Sequence, residues 1–181
     1  MISAIVAVDE NWGIGYQGGL LAYIPNDLRH FKELTIGDGN NIVVMGRKTY
    51  NSVRYLPSRK NIVISRHDLY GEDYEEKECV TYANSNISVM SLDYFLKQYK
   101  YYACVYKDIF IIGGGQIYKE LLPLCDRVYV TKIFKSHENV DTYFPNLDEP
   151  EEWNTWKVVD QSKTCIYNDV MYQFWIYDRI N

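Results

Sequence analysis

Apolar positions fall along the chain in short blocks separated by polar and glycine-rich stretches. The run "ISAIVAV" at 2–8 is almost wholly apolar, which predicts a strand buried on both faces. "NIVVMG" at 41–46 and "NIVIS" at 61–65 repeat that signature. "VTYA" at 80–83, "DIFII" at 108–112 and "RVYVTKI" at 127–133 extend it. Between these runs the period changes. Phe31 and Leu34 follow Asp27 at i+4 and i+7, one face of a helix running from 25 to about 35. Pro25 suits the first turn of that helix, where its missing N–H costs nothing. "RKTYNSVRYLPS" predicts a short helix closed by Pro57, and "SLDYFLKQY" a helix opening from a Ser91 cap. "QIYKELL" predicts a fourth, directly after three glycines. The tail alternates in "WKVVDQ" and "DVMYQFWIY", which predicts an antiparallel hairpin around Asn168-Asp169.

Strands alternating with helices predict an α/β fold. The expectation is a single domain over 1–181: a central, mainly parallel mixed sheet, an antiparallel C-terminal hairpin at its edge, and about four flanking helices. No repeat, low-complexity tract or linker divides the chain. "NWGIGYQGG" has four glycines in nine residues, a loop of unusual backbone freedom. Residues 67–78 carry Glu72, Asp73, Glu75, Glu76 and Glu78, and predict a solvated excursion.

Composition narrows the partners. Of 181 residues, 47% are apolar and 24% charged, which is globular rather than disordered. A net charge of −5 with no basic tract argues against a nucleic-acid surface. Cys79, Cys104, Cys125 and Cys165 are spread without a C-x-x-C pair, and His30, His67 and His137 are isolated. Neither set has metal-ligand spacing, so the thiols are expected to be unpaired in a reducing compartment. The N-terminus lacks the basic region of a secretion signal. No apolar run approaches the roughly 20 residues of a membrane span. The expected setting is cytoplasmic, with no membrane, metal or nucleic-acid partner.

Candidate chemistry gathers where strands end. "IIGGGQIY" closes a strand in Gly113, Gly114 and Gly115 and opens a helix at once, so bare backbone can approach a phosphate. The same turn without a ligand reads identically. It has neither the G-x-G-x-x-G spacing nor a P-loop lysine, which disfavours the ordinary nucleotide motifs. "VMGRKTY" ends a strand at Gly46, then sets Arg47, Lys48 and Thr49 at a helix start, where cations oppose the helix dipole. A bound anion resolves that conflict. "VISR" ends a third strand in Ser65 and Arg66. Each cation alone reads as a solvated surface group; three strand ends together predict an extended polyanion across the carboxyl edge of the sheet. Arg59 is either a surface arginine or a fork for a carboxylate. Asp27 is either a helix-start acid that steadies the dipole or a functional charge on a face that should be buried.

Taken in order, "ISAIVAVDENWGIG", "IPNDLRHFKELT", "VVMGRKTYNSV", "LPSRKNIVIS", "IFIIGGGQIY", "VYVTKI" and "DTYFP" resemble the dihydrofolate reductase family over essentially the whole chain. The resemblance implies hydride transfer from NADPH to 7,8-dihydrofolate, with the cofactor supplying the hydride chemistry. It makes Asp27 the only carboxylate of the pterin pocket, completed by Thr131, and gives the walls to Ile5, Ala7, Leu28, Phe31, Val53, Leu56, Ile112 and Tyr118. Arg59 is implied to grip the substrate's glutamate carboxylate. Ala7 and Ile14 are implied to hold the nicotinamide through their backbones, under a mobile glycine flap that includes Gly15 and carries Leu20 at its tip. Gly46, Thr49, Gly113, Gly114, Gly115, Gln116 and Ile117 are implied to line the cofactor. Arg47, Lys48, Ser65 and Arg66 are implied to lie near its 2′-phosphate. The family's cis peptide falls at Gly113-Gly114, and the expected assembly is a monomer.

The chain departs from the family at "GLLAYIPND", where Leu21-Ala22 stand in place of a Pro-Trp pair whose tryptophan positions a water near the pterin. Tyr23, one place along, is expected to point elsewhere. Two other readings share these residues. A same-fold reductase of a riboflavin-pathway intermediate predicts loss of the Asp27 and Arg59 pair, and both are present. A non-catalytic folate- or nucleotide-binding module predicts damage at the glycines or the helix acid, and neither is damaged.

Overall fold

The computed structural model describes residues 1–67, 79–82, 86–152 and 155–180; the acidic excursion expected at 67–78 lies outside them apart from His67. In chain order the strands are β1 (Ile2–Val8), β2 (Gly13–Tyr16), β3 (Gly19–Leu20), β4 (Asn41–Gly46), β5 (Lys60–Ile64), β6 (Cys79–Tyr82), β7 (Ile87–Met90), β8 (Asp108–Ile111), β9 (Arg127–Ile133), β10 (Thr142–Tyr143), β11 (Trp156–Gln161), β12 (Cys165–Tyr167) and β13 (Val170–Arg179). The helices are α1 (Pro25–Ile36), α2 (Arg47–Val53), α3 (Leu92–Val105) and α4 (Gly115–Leu121).

The main sheet runs β11-β13-β9-β1-β8-β4-β5-β7-β6, with β12 beside β13. Its centre, from β9 to β7, is parallel; β6, β13, β11 and β12 pair antiparallel at the edges. The apolar runs are explained by two cores, one on each face. Ala4, Val6, Val8, Val44, Ile62 and Ile111 share a cluster with Phe95 of α3 and Ile117, Tyr118 and Leu121 of α4. Ile5, Val43, Met45, Val63 and Phe110 point the other way, against Phe31 and Leu34 of α1 and Tyr50 of α2. Neighbouring residues of one strand thus serve opposite layers, so no polar alternation is left to read.

Local signals set the helix ends. Ile24 is extended, Pro25 begins α1, and Gly37 ends it at φ 52°, with its N–H bonded to Glu33 O. Ser91 caps α3 by accepting from Tyr94 N at 3.1 Å. The crossovers position the site. The β1–α1–β4 connection passes β8, and β8–α4–β9 passes β1. The strand order therefore changes direction around β1, β8 and β4, and the crevice opens at their carboxyl ends.

Several elements differ from expectation. The four-residue strand β7 is absent from the sequence reading, because so short a run between polar residues and a helix cap has no diagnostic period. The Asn168-Asp169 turn, with φ 47° and 60°, suits a two-residue hairpin loop, but it joins β12 to β13. The "WKVVDQ" strand, β11, pairs with the far half of β13, from Trp156 opposite Arg179 to Gln161 opposite Trp175. The glycine loop is itself a hairpin: β2 and β3 turn at Gln17 (φ 49°) and Gly18 (φ 79°), and β10 adds a third strand. Among the described residues no helix is long and apolar enough to cross a membrane, and no group of His, Cys, Asp and Glu has a metal-holding arrangement.

Candidate active site

Asp27 enters the crevice from the first turn of α1. Thr131 approaches from β9, whose residue 131 pairs with Ala7 of β1 and Phe174 of β13. The Thr131 hydroxyl donates to Asp27 Oδ1 at 2.6 Å. Burial pushes the Asp27 carboxyl above its ordinary value; the Thr131 hydroxyl and the nearby His30 pull it back less strongly. The pair answers the question posed by an acid on a buried helix face: it is one partly desolvated carboxylate beside an apolar surface.

That surface is formed by Ile5 with the half-buried Phe31, Leu56 and Ile112, which join one cluster. Leu28 is half-buried on α1. Val53, the last residue of α2, is 40% exposed and belongs to none of the core clusters of the described residues. The Tyr118 hydroxyl donates to Ile5 O at 2.7 Å, and its ring meets Phe144 edge-on at 4.8 Å. Burial drives that phenol far above its ordinary value, so it stays neutral. Arg59 is 3% exposed. Its Nε donates to Pro57 O at 2.8 Å and its Nη1 donates to Thr35 Oγ1; burial lowers the guanidinium from its ordinary value. No described carboxylate is recorded as its salt-bridge partner.

On the other side of the crevice β8, β4 and β5 lie in that order, so the glycine turn, "GRKT" and "SR" are adjacent strand ends. Gly46 N donates to Gly113 O at 2.7 Å, tying the first two together. A Cβ on Gly46 would lie 3.0 Å from Ile117 Cγ1, and one on Gly114 would lie 3.4 Å from Thr49 Oγ1. These close approaches leave backbone as the facing surface. The Gly113-Gly114 peptide is cis, as the resemblance implies. Neither α2 nor α4 has a side-chain cap at its start, because the N-cap positions are held by Gly46 and Gly114, which have no side chain. Arg47 is half-buried, whereas Lys48, Arg66 and Gln116 are exposed. Ser65 N bonds Met90 O, and its hydroxyl accepts from His67 N at 3.2 Å.

The flap hairpin covers the end of β1. Ile14 is half-buried against the core, Gly15 is buried, and Leu20 is 66% exposed. Two acids to which the sequence alone gives no role fasten it. Asp9 Oδ1 accepts from Asn11 N at 2.9 Å and Gly13 N at 2.8 Å, while its Oδ2 accepts from His137 N at 3.2 Å. Asp141 Oδ2 accepts from Gln17 N at 2.7 Å, and its own N–H donates to Gly15 O. The signal for Asp9 was an acid two residues before Asn-x-Gly, in a stretch rich in turn-forming residues. Asp141 had no local signal for this tie, since its flap partner Gln17 is 124 residues away. Tyr23 is 70% exposed and does point away, whereas Ala22 packs against the cluster of Ile24, Ile133 and Tyr172.

Comparison with known proteins gives one answer along the whole chain. The family model described as dihydrofolate reductase matches residues 1–179. The dihydrofolate reductase of Bacillus subtilis (strain 168) is 36% identical over 184 residues, covering 100% of this chain and 96% of that protein. The type 3 dihydrofolate reductase of Salmonella typhimurium is 39% identical over 147 residues, 81% of this chain and 79% of that one. Among solved structures, dihydrofolate reductase from Enterococcus faecalis complexed with NADP(H) and RAB-propyl is similar at a TM-score of 0.77 and 32% identity, covering 100% and 97% of the two chains.

Proposed function

The chain belongs to the dihydrofolate reductase family, and from that premise we propose how its residues carry out the NADPH-dependent reduction of 7,8-dihydrofolate to 5,6,7,8-tetrahydrofolate. The observation that carries the proposal is the Asp27–Thr131 pair: a 2.6 Å hydrogen bond at the mouth of an apolar cleft. The ionised Asp27 accepts from the pterin's amino group and ring N–H, and Thr131 holds the carboxylate in that orientation. Product formation adds a hydride to a pterin carbon and a proton to the adjacent ring nitrogen. Asp27 is too strongly engaged with the far side of the ring to deliver that proton itself; it polarises the pterin so that water does. Apolar walls from Ile5, Leu28, Phe31, Val53, Leu56, Ile112 and Tyr118 strengthen that polarisation by excluding bulk water. Arg59 takes the glutamate carboxylate of the substrate with the guanidinium edge its bonds to Thr35 and Pro57 hold in place.

The residues present fit NADPH, which when bound supplies the hydride. Backbone at Gly46, Gly113, Gly114 and Gly115 approaches a pyrophosphate, and uncapped N–H groups at the starts of α2 and α4 face an anion. Thr49 adds its hydroxyl, and Gln116 and Ile117 continue the wall. Arg47, Lys48, Ser65 and Arg66 favour the 2′-phosphate and hence NADPH over NADH. Ala7 and Ile14 hold the nicotinamide through backbone groups beneath the flap of Gly15 and Leu20. The protein acts as a single-domain, cytoplasmic monomer without nucleic-acid partners. The test is NADPH oxidation, read by absorbance with dihydrofolate as substrate, for wild type and Asp27→Asn. Wild type must consume NADPH; no consumption would sink the assignment, and full activity of the variant at neutral pH would remove Asp27 from its role.

A further inference from the structure

His30 is a titratable side chain that this reaction does not use. It lies three residues after Asp27 on α1, which makes the two neighbours on the helix surface. The flank they share crosses from the crevice to β13. Asn26 Nδ2 donates to the Tyr172 hydroxyl at 3.1 Å, and the His30 ring packs on Phe174 with centroids 4.2 Å apart. A cavity of about 210 Å³ opens between α1 and the edge strands, lined among others by His30, Thr131, Tyr129, Asp160 and Ser162. Thr131 belongs to both places: its hydroxyl donates to Asp27, and it lines the cavity with His30. The imidazole therefore stands on the β13 side of the acid, held by a ring that pairs across β9 with Thr131 itself.

We propose that His30 is a positioning residue for the reduction, acting through Asp27 to set the pH at which the reaction's carboxylate ionises. The proposal rests on the reading of Asp27 as the pterin-binding acid. An imidazolium three residues from a half-buried carboxylate favours its charged form, and the carboxylate favours the imidazolium in return. Burial opposes the imidazolium and is the larger effect on His30. Among the described residues, Glu33 on α1 also acts on the ring, Tyr129 on β9 and Asp160 on β11 line the same cavity, and Tyr172 on β13 packs against Phe174 beside it. Of these, Glu33 also draws a proton toward His30. The pair titrates as a coupled system, so removing one member moves the other.

The test compares the pH dependence of kcat/KM for dihydrofolate, at saturating NADPH, in the wild-type chain, His30→Phe and His30→Gln. The phenylalanine keeps a ring on Phe174; the glutamine keeps a polar group of similar reach; neither carries charge. Both are expected to move the acid-side midpoint upward by about half a pH unit, with KM for NADPH unchanged. A parallel NMR titration of the His30 ring in wild type and Asp27→Asn is expected to show its midpoint fall in the variant, as reciprocal coupling requires. Unmoved midpoints in both histidine variants would overturn the proposal. So would a shift in His30→Phe alone, which would assign the effect to water exclusion rather than charge. If the wild type fails to oxidise NADPH, the functional reading fails, and the NMR titration still decides whether His30 and Asp27 are coupled.

Discussion

Replacing Thr131 by valine removes one hydroxyl and keeps the β-branched shape around which β9 packs. Thr131 is 4% exposed, and its Oγ1 donates to Asp27 Oδ1 at 2.6 Å. A hydrogen bond to a charged acceptor contributes about 1.5–3 kcal/mol. If that is expressed in the transition-state complex, kcat/KM falls roughly 10- to 150-fold. The pH profile carries a second signature. Burial raises the Asp27 carboxyl and the Thr131 hydroxyl lowers it, so the valine variant ionises at still higher pH and its profile moves upward. The sign for stability follows. A carboxyl raised in the folded state favours folding at low pH and loses that contribution as pH rises through its folded value. Thr131→Val is therefore less stable than wild type at neutral pH, and the difference narrows on acidification as Asp27 protonates in both. The assay is NADPH oxidation across pH, with thermal unfolding on the same samples and Thr131→Ser as the variant that restores the donor. A loss below about threefold with an unmoved profile would refute the reasoning, because the hydroxyl would then contribute nothing to the state of the acid.

Asp27→Asn is expected to lose roughly 10²-fold or more in hydride transfer, the scale of a general acid–base contribution. The same change removes a carboxylate whose ionised form burial disfavours, so thermal unfolding should find the variant more stable than wild type at neutral pH, with the gain fading on acidification. Arg59→Lys replaces a planar fork by a point charge; KM for dihydrofolate is expected to rise about tenfold, with KM for NADPH unchanged. Steady-state titration of each substrate separates the two, and an equal rise in both would place Arg59 elsewhere. Arg66→Ala is expected to raise KM for NADPH about tenfold and leave KM for NADH unchanged. The ratio of the two constants is the readout, and a parallel rise would remove Arg66 from the 2′-phosphate.

The helix starts and the buried strands were legible because their causes are local. Pro25 and Ser91 act on backbone within a turn of themselves, and the unbroken apolar runs record burial on two faces whatever lies across them. The same locality let glycines and cations be noticed at three strand ends. It also hid β7 and the tie of Asp141 to the flap: four residues carry no period, and a bond across 124 residues leaves no mark near either partner. The substitution at Ala22 was visible, but not that the alanine packs into the cluster around Ile24 while Tyr23 turns to solvent.

By itself, then, the sequence determined where the helices and most strands of the main sheet lie, that the sheet is covered on both faces, and which residues were candidates to handle an anion or a proton. Tertiary structure decided which of them meet. Asp27 and Thr131 are 104 residues apart and bond only because the β1–α1–β4 crossover lays α1 across the strands that β9 joins. The glycine turn, Gly46 and Arg66 form one edge only because β8 inserts between β1 and β4. Asp27 and His30 are neighbours in any helix, but the packing of His30 on Phe174 depends on β13 closing the sheet beside β9. Secondary structure follows from hydrogen bonds and side-chain periods a few residues long. Pairing order is the net result of many weak contacts summed over the whole sheet, and no short stretch of the chain contains that sum.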